Sequence, residues 1–182
     1  MAPQGCRQTS ITIDPVALLK REHGMILDQL AMIETAMSPR SPGSGEAKGT
    51  DRGTLRELLQ FFTGRVDVHF KREAVLVADL QRILGRKQEG QEQFQSFLDE
   101  HRMLKADATA VMRRLRGKRA DGRDSAELGN FGGVGTLNSA LRALIRRYRG
   151  HISCEERMLF VLAEMRLTAE QKRRISRRML QV

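Results

Sequence analysis

Six residues of this sequence have the types and spacing that suit metal binding: all four of its histidines and two of its glutamates. They are His23, His69, Glu73, His101, His151 and Glu155. Each of the two glutamates follows a histidine by four positions, so on an α-helix an imidazole and a carboxylate would face the same point. Imidazole and carboxylate together suit iron, manganese or zinc. Metal binding is therefore the first chemistry that the pattern predicts.

Four amphipathic helices are predicted to position these residues. In each segment, apolar residues recur at alternating intervals of three and four, which marks one helix face, and the candidate ligands stand within that face. In chain order, the four faces are Val16, Leu19, His23, Ile26, Leu30 and Ile33; Leu55, Leu59, Phe62, Val66, His69, Glu73, Leu76, Leu80 and Ile83; Phe94, Phe97, His101, Leu104, Ala108, Val111 and Leu115; and Leu137, Leu141, Leu144, Tyr148, His151, Glu155, Met158, Leu162 and Met165.

Capping and breaking residues predict where these helices begin and end. Asp14-Pro15 gives the first helix an N-cap followed by a proline at its first position. Gly85 is a stop signal for the second helix. The stretches 38–45 and 117–135 are rich in glycine, and the first also in proline, so we expect both to be loops.

The element pattern predicts an all-α fold, an up-down-up-down four-helix bundle with a short extra C-terminal helix. We expect a disordered tail over residues 1–13, the bundle over 14–166 and the short basic helix over 167–182. Thr168 to Gln171 form a capping box that opens this last helix. Its predicted apolar side consists of Ile175, Met179 and Leu180.

A bundle core would not collect six ionisable groups without a compensating charge, because burying unpaired charged and polar groups is costly. Two metal ions among the six side chains would supply that charge. The pattern also repeats: each half of the chain has one Glu-His dipeptide and one histidine followed by a glutamate four residues later. The two halves would be related by a rough two-fold axis. With two histidines for each ion and shared carboxylates, both ions would keep open positions, and iron is the metal that we expect first.

The order of these motifs resembles that of the hemerythrin-like family, the HHE cation-binding domain. The resemblance covers roughly Asp14 to Met165, and residues 151–160 closely match the family's fourth motif. It implies two non-haem iron ions, oxo- or hydroxo-bridged, with manganese and zinc as alternatives. By this resemblance the four histidines would be terminal ligands, while Glu73 and Glu155 would bridge the ions.

The sequence also departs from the oxygen-carrying hemerythrins, whose third helix carries two histidines one turn apart. Here Lys105 stands one turn after His101, and the fourth-helix carboxylate follows His151 one residue sooner than in those proteins. The pattern of four histidines and two glutamates is more similar to bacterial proteins linked to the repair of iron–sulfur centres under nitrosative and oxidative stress. That resemblance implies an iron–sulfur protein as a client.

Five residues beside the candidate ligands invite separate expectations. Tyr148 could donate a hydrogen bond to a ligand or bound molecule, or could simply fill the core. Lys105 would favour an anionic guest if it faces the site, and would have no role if it points outward. Glu22 and Glu100 are expected on the exposed helix surface, with hydrogen bonds to histidine N–H groups as the alternative. We expect Cys154 to act as a small core residue.

The composition limits the remaining classes of function. At 182 residues with 40% hydrophobic content, the chain can bury the core of one domain. It has no apolar run long enough to span a bilayer and no signal-peptide pattern at its start, so we expect a cytoplasmic protein without membrane contact. Cys6 and Cys154 make no disulfide framework. The net charge of +10 is spread over several segments, which favours a solvated exterior over nucleic-acid binding.

Three functions follow as hypotheses, and the sequence leaves the oligomeric state open. The first is a non-haem di-iron protein that binds or senses O2 or NO, or that handles iron in oxidative and nitrosative stress. The second is a di-iron enzyme that consumes peroxide, as a catalase does. The third is a metal-free basic helical module for interactions. The expected small partner is a diatomic molecule or peroxide.

Overall fold

The computed structural model describes residues 13–38, 52–85, 88–116 and 134–182, and within these ranges the chain is all-α, as predicted. Residues 1–12 of the predicted tail, with Cys6, and most of the two predicted loops lie outside the described residues, whereas Ile13 is described and packs against the bundle. The helices are α1 (Pro15–Met37), α2 (Arg52–Thr63), α3 (Arg65–Leu84), α4 (Gln88–Arg116), α5 (Val134–Arg157), α6 (Leu159–Arg166) and α7 (Ala169–Met179).

The predicted start of α1 and the predicted end of α3 are confirmed. Asp14 caps α1, because its Oδ1 accepts hydrogen bonds from the main-chain N–H groups of Val16 (2.9 Å) and Ala17 (3.1 Å). Pro15 occupies the first turn, where its missing N–H costs nothing. Helix α3 ends at Gly85, whose φ of 73° lies in the region that glycine adopts without strain.

Two predicted long helices are interrupted, one at Gly64 and the other at Met158. Gly64 separates α2 from α3, and Met158 separates α5 from α6. Because the turn at Met158 shifts the helix register, the side of α6 that faces the core carries Leu159, Phe160 and Ala163. The prediction that Met158 and Met165 lie in the core is therefore wrong: they are 40% and 73% exposed.

The core consists of two hydrophobic clusters that meet the candidate ligands from opposite ends. The first contains Ile26, Phe62, Phe70, Leu104, Tyr148 and Ile152, among others. The second contains Leu19, Leu76, Phe97, Leu159 and Phe160, among others. In all four long helical stretches the candidate ligands lie between residues of the first cluster and residues of the second. The six polar groups thus occupy a layer between two apolar ends of one bundle.

Helix α7 packs on the bundle through the second cluster, to which it contributes Ile175 and Met179. The capping box at its start is confirmed, since Gln171 N–H donates to the Thr168 hydroxyl (3.2 Å) and Thr168 N–H donates to the Gln171 side chain (2.8 Å). The prediction for Leu180 is wrong, because this residue follows the last turn of α7 and is 56% exposed.

A buried aspartate also anchors α7. Asp79 on α3 is 1% exposed and forms ion pairs with Arg82 of its own helix and with Arg174 and Arg178 of α7. The three arginines reach the carboxylate from the surface, so its charge is compensated although it is buried. Among the described helices, none is long and apolar enough to cross a membrane.

Candidate metal centre

The structure brings all six predicted residues together in the polar layer of the bundle. Every one is buried, with exposures of 5% or less. Helix α1 supplies His23, α4 supplies His101, α3 supplies the pair His69 and Glu73, and α5 supplies the pair His151 and Glu155.

Ligand atoms of these residues form two overlapping groups, and within each group they lie within 4.8 Å of one another. We call them the first metal position (His23, His69, Glu73 and Glu155) and the second metal position (Glu73, His101, His151 and Glu155). The two glutamates belong to both groups. This sharing is what a pair of ions bridged by two carboxylates requires.

The Nε2 atoms of all four histidines point inward at the glutamate oxygens. Glu73 Oε1 lies 3.2 Å from Nε2 of His23 and 3.1 Å from Nε2 of His69. Glu155 Oε1 lies 3.2 Å from Nε2 of both His101 and His151. The remaining glutamate oxygens approach across the centre: Glu73 Oε2 lies 3.2 Å from His101 Nε2, and Glu155 Oε2 lies 3.4 Å from His23 Nε2.

Three of the histidines hold a carboxylate with their outer nitrogen. Nδ1 of His69 donates to Glu22 Oε2 at 3.0 Å, and Nδ1 of His151 donates to Glu100 Oε2 at 2.8 Å. A carboxylate can only accept, so these bonds place a proton on Nδ1 and leave Nε2 to face the centre. The expectation that Glu22 and Glu100 are merely exposed surface residues is wrong. Glu100 is half exposed, but both glutamates orient candidate ligands.

Glu156 is the third such carboxylate, and we did not predict it from the sequence. Glu156 lies on α5, and its Oε1 is 3.0 Å from Nδ1 of His23 on α1. The one indication of this contact in the sequence is that Glu156 directly follows Glu155. On a helix, that position turns its side chain away from the apolar face and toward a neighbouring helix.

Without metal, the centre holds protons. Burial alone would lower the pKa of His23, but its close contacts with the carboxylates of Glu155 and Glu73 outweigh it and raise that pKa to about 10. Burial is likewise outweighed at His69 and at His101, where the glutamates raise the pKa to about 9. Burial would raise the pKa of Glu73, yet the charge of His69 and close contacts with the rings of His101, His23 and His69 hold it well below its usual range. A glutamate that stays ionised inside a bundle is suited to cations.

The protons do not satisfy every buried atom of the centre. Glu73 Oε2, Glu155 Oε2 and His151 Nε2 are buried and form no hydrogen bond with good geometry in the described part of the chain. Each lies within 3.4 Å of another atom of the centre, but at an angle that does not suit a hydrogen bond. Unsatisfied buried polar atoms are costly, and two cations between the groups would coordinate all three. The donor set therefore fits a pair of metal ions.

The apolar side of the centre is aromatic. Phe70 stacks on the His101 ring at 4.1 Å, and Tyr148 lies parallel to Phe70 at 6.4 Å. Tyr148 is fully buried, and its hydroxyl has no hydrogen-bond partner in the described structure. Burial raises the pKa of this phenol, so it stays protonated as a potential donor. Both expectations for Tyr148, core filling and hydrogen-bond donation, are compatible with this placement.

Lys105 does not face the centre. Its Nζ pairs with Asp67 at the surface, and its side chain is 49% exposed. The possibility that it attracts an anionic guest is thus not supported, and the outward alternative holds. Cys154 packs beside the second hydrophobic cluster, with its Sγ 3.6 Å from the Met158 sulfur, which agrees with the expected role of a small apolar residue.

A helical bundle with a buried layer of histidines and shared glutamates defines a class of binuclear metal-binding proteins. The sequence profile of the hemerythrin HHE cation binding domain matches residues 14–163, which is most of the chain. The chain therefore belongs to the hemerythrin HHE cation-binding domain family, and the match ends before α7. No curated protein and no solved structure gives a significant match to it.

Proposed function

We propose that this chain is a non-haem di-iron protein, an up-down-up-down four-helix bundle whose centre binds O2 or NO in the response to oxidative or nitrosative stress. The single observation that carries the proposal is the pair of overlapping buried groups that share Glu73 and Glu155. The alternation of helix direction is supported by the two hydrophobic clusters, because the C-terminal half of α1 shares its cluster with the N-terminal half of α5 and the C-terminal half of α4.

Each iron ion would receive two histidine nitrogens and one oxygen from each glutamate. Four ligands from the protein would leave room at each ion for a small molecule to bind. Iron at such a site supplies reversible electron transfer to small oxygen and nitrogen species. The chain's own contribution is to fix the tautomer of three imidazoles through their outer carboxylates, to keep Glu73 ionised, and to surround the centre with apolar side chains that limit the access of water.

The structure argues against the metal-free helical module. A protein without metal would keep three buried ligand atoms without hydrogen bonds, which a simple packing core has no reason to retain. An enzyme that consumes peroxide would use the same centre. Catalytic turnover of hydrogen peroxide would distinguish it from a protein that only binds O2 or NO. The iron–sulfur client stays a prediction.

The test is the iron content and reactivity of protein purified from cells grown with iron. We expect about two irons per chain, and a change in the optical spectrum on exposure of the reduced protein to O2 or NO. Glu73→Gln should lose most of the iron, because a shared ligand is weakened for both ions. Glu164→Gln is the matched control, since Glu164 forms an exposed ion pair with Lys20.

Three results would contradict the proposal. Only trace iron in the wild-type protein, even after anaerobic addition of ferrous salt, would contradict the proposal that the metal is iron. Full iron content in Glu73→Gln would overturn the site. Steady catalytic loss of hydrogen peroxide without any spectral response to O2 or NO would favour the enzyme instead.

A further inference from the structure

The two halves of the centre are related by an approximate two-fold axis, which is seen in the histidine ring pairs and in the contacts of their outer nitrogens. The ring centroids of His23 and His69 are 4.9 Å apart with an interplanar angle of 65°, and those of His101 and His151 are 4.9 Å apart with an angle of 83°, so both pairs meet edge to face. The outer contacts repeat as well. The glutamate before His23 holds His69, and the glutamate before His101 holds His151.

The first departure from the two-fold relation concerns the outer nitrogens of His23 and His101. Glu156, which follows Glu155, holds Nδ1 of His23 at 3.0 Å. The residue that follows Glu73 in the other half is Ala74, which has no group to hold Nδ1 of His101. Within the described part of the chain, no carboxylate contacts that nitrogen. Both rings also stack on a phenylalanine, His101 on Phe70 at 4.1 Å and His23 on Phe160 at 5.1 Å, so the carboxylate is what distinguishes them.

A second difference between the two metal positions is the solvent exposure of Glu22 and Glu100, and it also favours the first position. Glu22, which holds His69 of the first metal position, is only 16% exposed and is itself paired with Arg72. Glu100, which holds His151 of the second metal position, is 44% exposed and lines a surface cavity with Asp99. Water can therefore compete for Glu100 more readily than for Glu22.

We infer that the two metal positions are unequal: the first binds its ion tightly, and the second fills last and empties first. A carboxylate on the outer nitrogen fixes the ring and strengthens it as a ligand, and losing such a partner typically weakens metal binding about 10–100-fold. The first position has two such partners, Glu22 (16% exposed) and Glu156 (41% exposed), whereas among the described residues the second has one, Glu100 (44% exposed). The inference rests on the proposed two-ion site and adds an order of loading and release to it.

The test is a titration of the metal-free full-length chain with cobalt(II), followed by visible absorption and by competition with a chelator of known affinity. We expect two steps whose dissociation constants differ by about 10–100-fold. Glu156→Ala should weaken the tight step and leave the weak one nearly unchanged. Glu100→Ala should do the opposite. Circular dichroism of each metal-free variant checks that the helices are retained.

Ala74→Glu is the complementary variant, because it places a carboxylate where the two-fold relation expects one. It should tighten the weak step toward the affinity of the tight one. Two indistinguishable steps in the wild-type protein, or equal weakening of both steps by Glu156→Ala, would overturn the inference while leaving the proposed di-iron site intact. Failure to bind a second ion at all would overturn the site and the inference together.

Discussion

The Nε of Arg72 donates a hydrogen bond to the main-chain carbonyl of Met179 at 3.1 Å, which joins α3 to the end of α7. The same guanidinium pairs with Glu22, whose other oxygen accepts from His69. Burial would raise the pKa of Glu22, but its bonds to His69 and Arg72 hold that pKa below its usual range. The C-terminal helix, which lies beyond the family match, is thus connected to a candidate metal ligand by three successive contacts.

Replacing Arg72 with methionine should disturb both ends of this connection. We expect faster loss of the first ion to a chelator, because Glu22 would hold His69 less firmly, and faster amide hydrogen exchange in α7. Arg102→Met is the control, since Arg102 pairs with Asp99 at the surface and is 74% exposed. Unchanged exchange in α7 together with unchanged metal release would show that the contacts are not coupled.

The stability of the metal-free protein should fall as the pH rises. The pKa values of His23, His69 and His101 lie at about 9 to 10 in the fold, above the ordinary 6.5. Their stabilising effect is therefore complete below pH 6.5 and is lost as the pH rises through 9 to 10. Urea unfolding of chelator-treated protein from pH 6 to pH 10 measures this slope.

The metal-loaded protein should behave in the opposite way over part of that range. Metal binding requires histidines without a proton on Nε2, so the ions bind more tightly as the pH rises and release protons when they bind. Their stabilising effect should grow from pH 6 toward neutrality. Parallel stability profiles with and without metal would contradict both the raised pKa values and the assignment of these histidines as ligands.

Tyr148→Phe should leave the metal-free protein as stable as before or stabilise it by about 1 kcal/mol, because it removes a buried hydroxyl without a partner. Thermal unfolding measures the change. Phe62→Leu provides a packing comparison, since Phe62 contacts the Tyr148 ring edge at 5.0 Å and is 1% exposed. A loss of more than about 1 kcal/mol in Tyr148→Phe would mean that the hydroxyl has a partner. A separate measurement on the metal-loaded protein tests the other role: weaker azide binding by Tyr148→Phe would show that the hydroxyl donates to a molecule bound at the centre.

Asp79→Asn should destabilise the protein by about 1–3 kcal/mol, because three arginines lose a buried charged acceptor. Glu164→Gln breaks an ion pair whose partners are both 47% exposed, and should cost at most about 1 kcal/mol. Chemical denaturation of both variants gives the comparison. Equal effects would mean that the burial of Asp79 adds nothing to the attachment of α7.

Much of the centre could be predicted from the sequence, because residue type and helical period alone specify it. Four histidines and two glutamates on apolar faces can satisfy burial only by converging. The outer carboxylates could not be assigned in this way. Whether Glu22 or Glu156 reaches a histidine depends on how far each helix rotates about its axis, and several rotations keep the same apolar face buried.

The helix interruptions were missed for a related reason. A turn at Met158 preserves the apolar content of the segment and changes only which side chains face inward. The periodic pattern therefore extends through it and predicts Met165 in the core, although this residue is 73% exposed. At Gly64 the interruption leaves the buried series intact, so the same pattern correctly predicts that Phe62 and Val66 are buried.

The sharing of Glu73 and Glu155 between the two metal positions has a consequence for the chain as a whole. Each ion would take both of its histidines from one half of the sequence, and one of its two carboxylates from the other half. Bound metal would therefore cross-link the N-terminal and C-terminal helix pairs, much as disulfides tie distant segments in small secreted domains. Unlike a disulfide, this link would open and close with the supply of metal and protons.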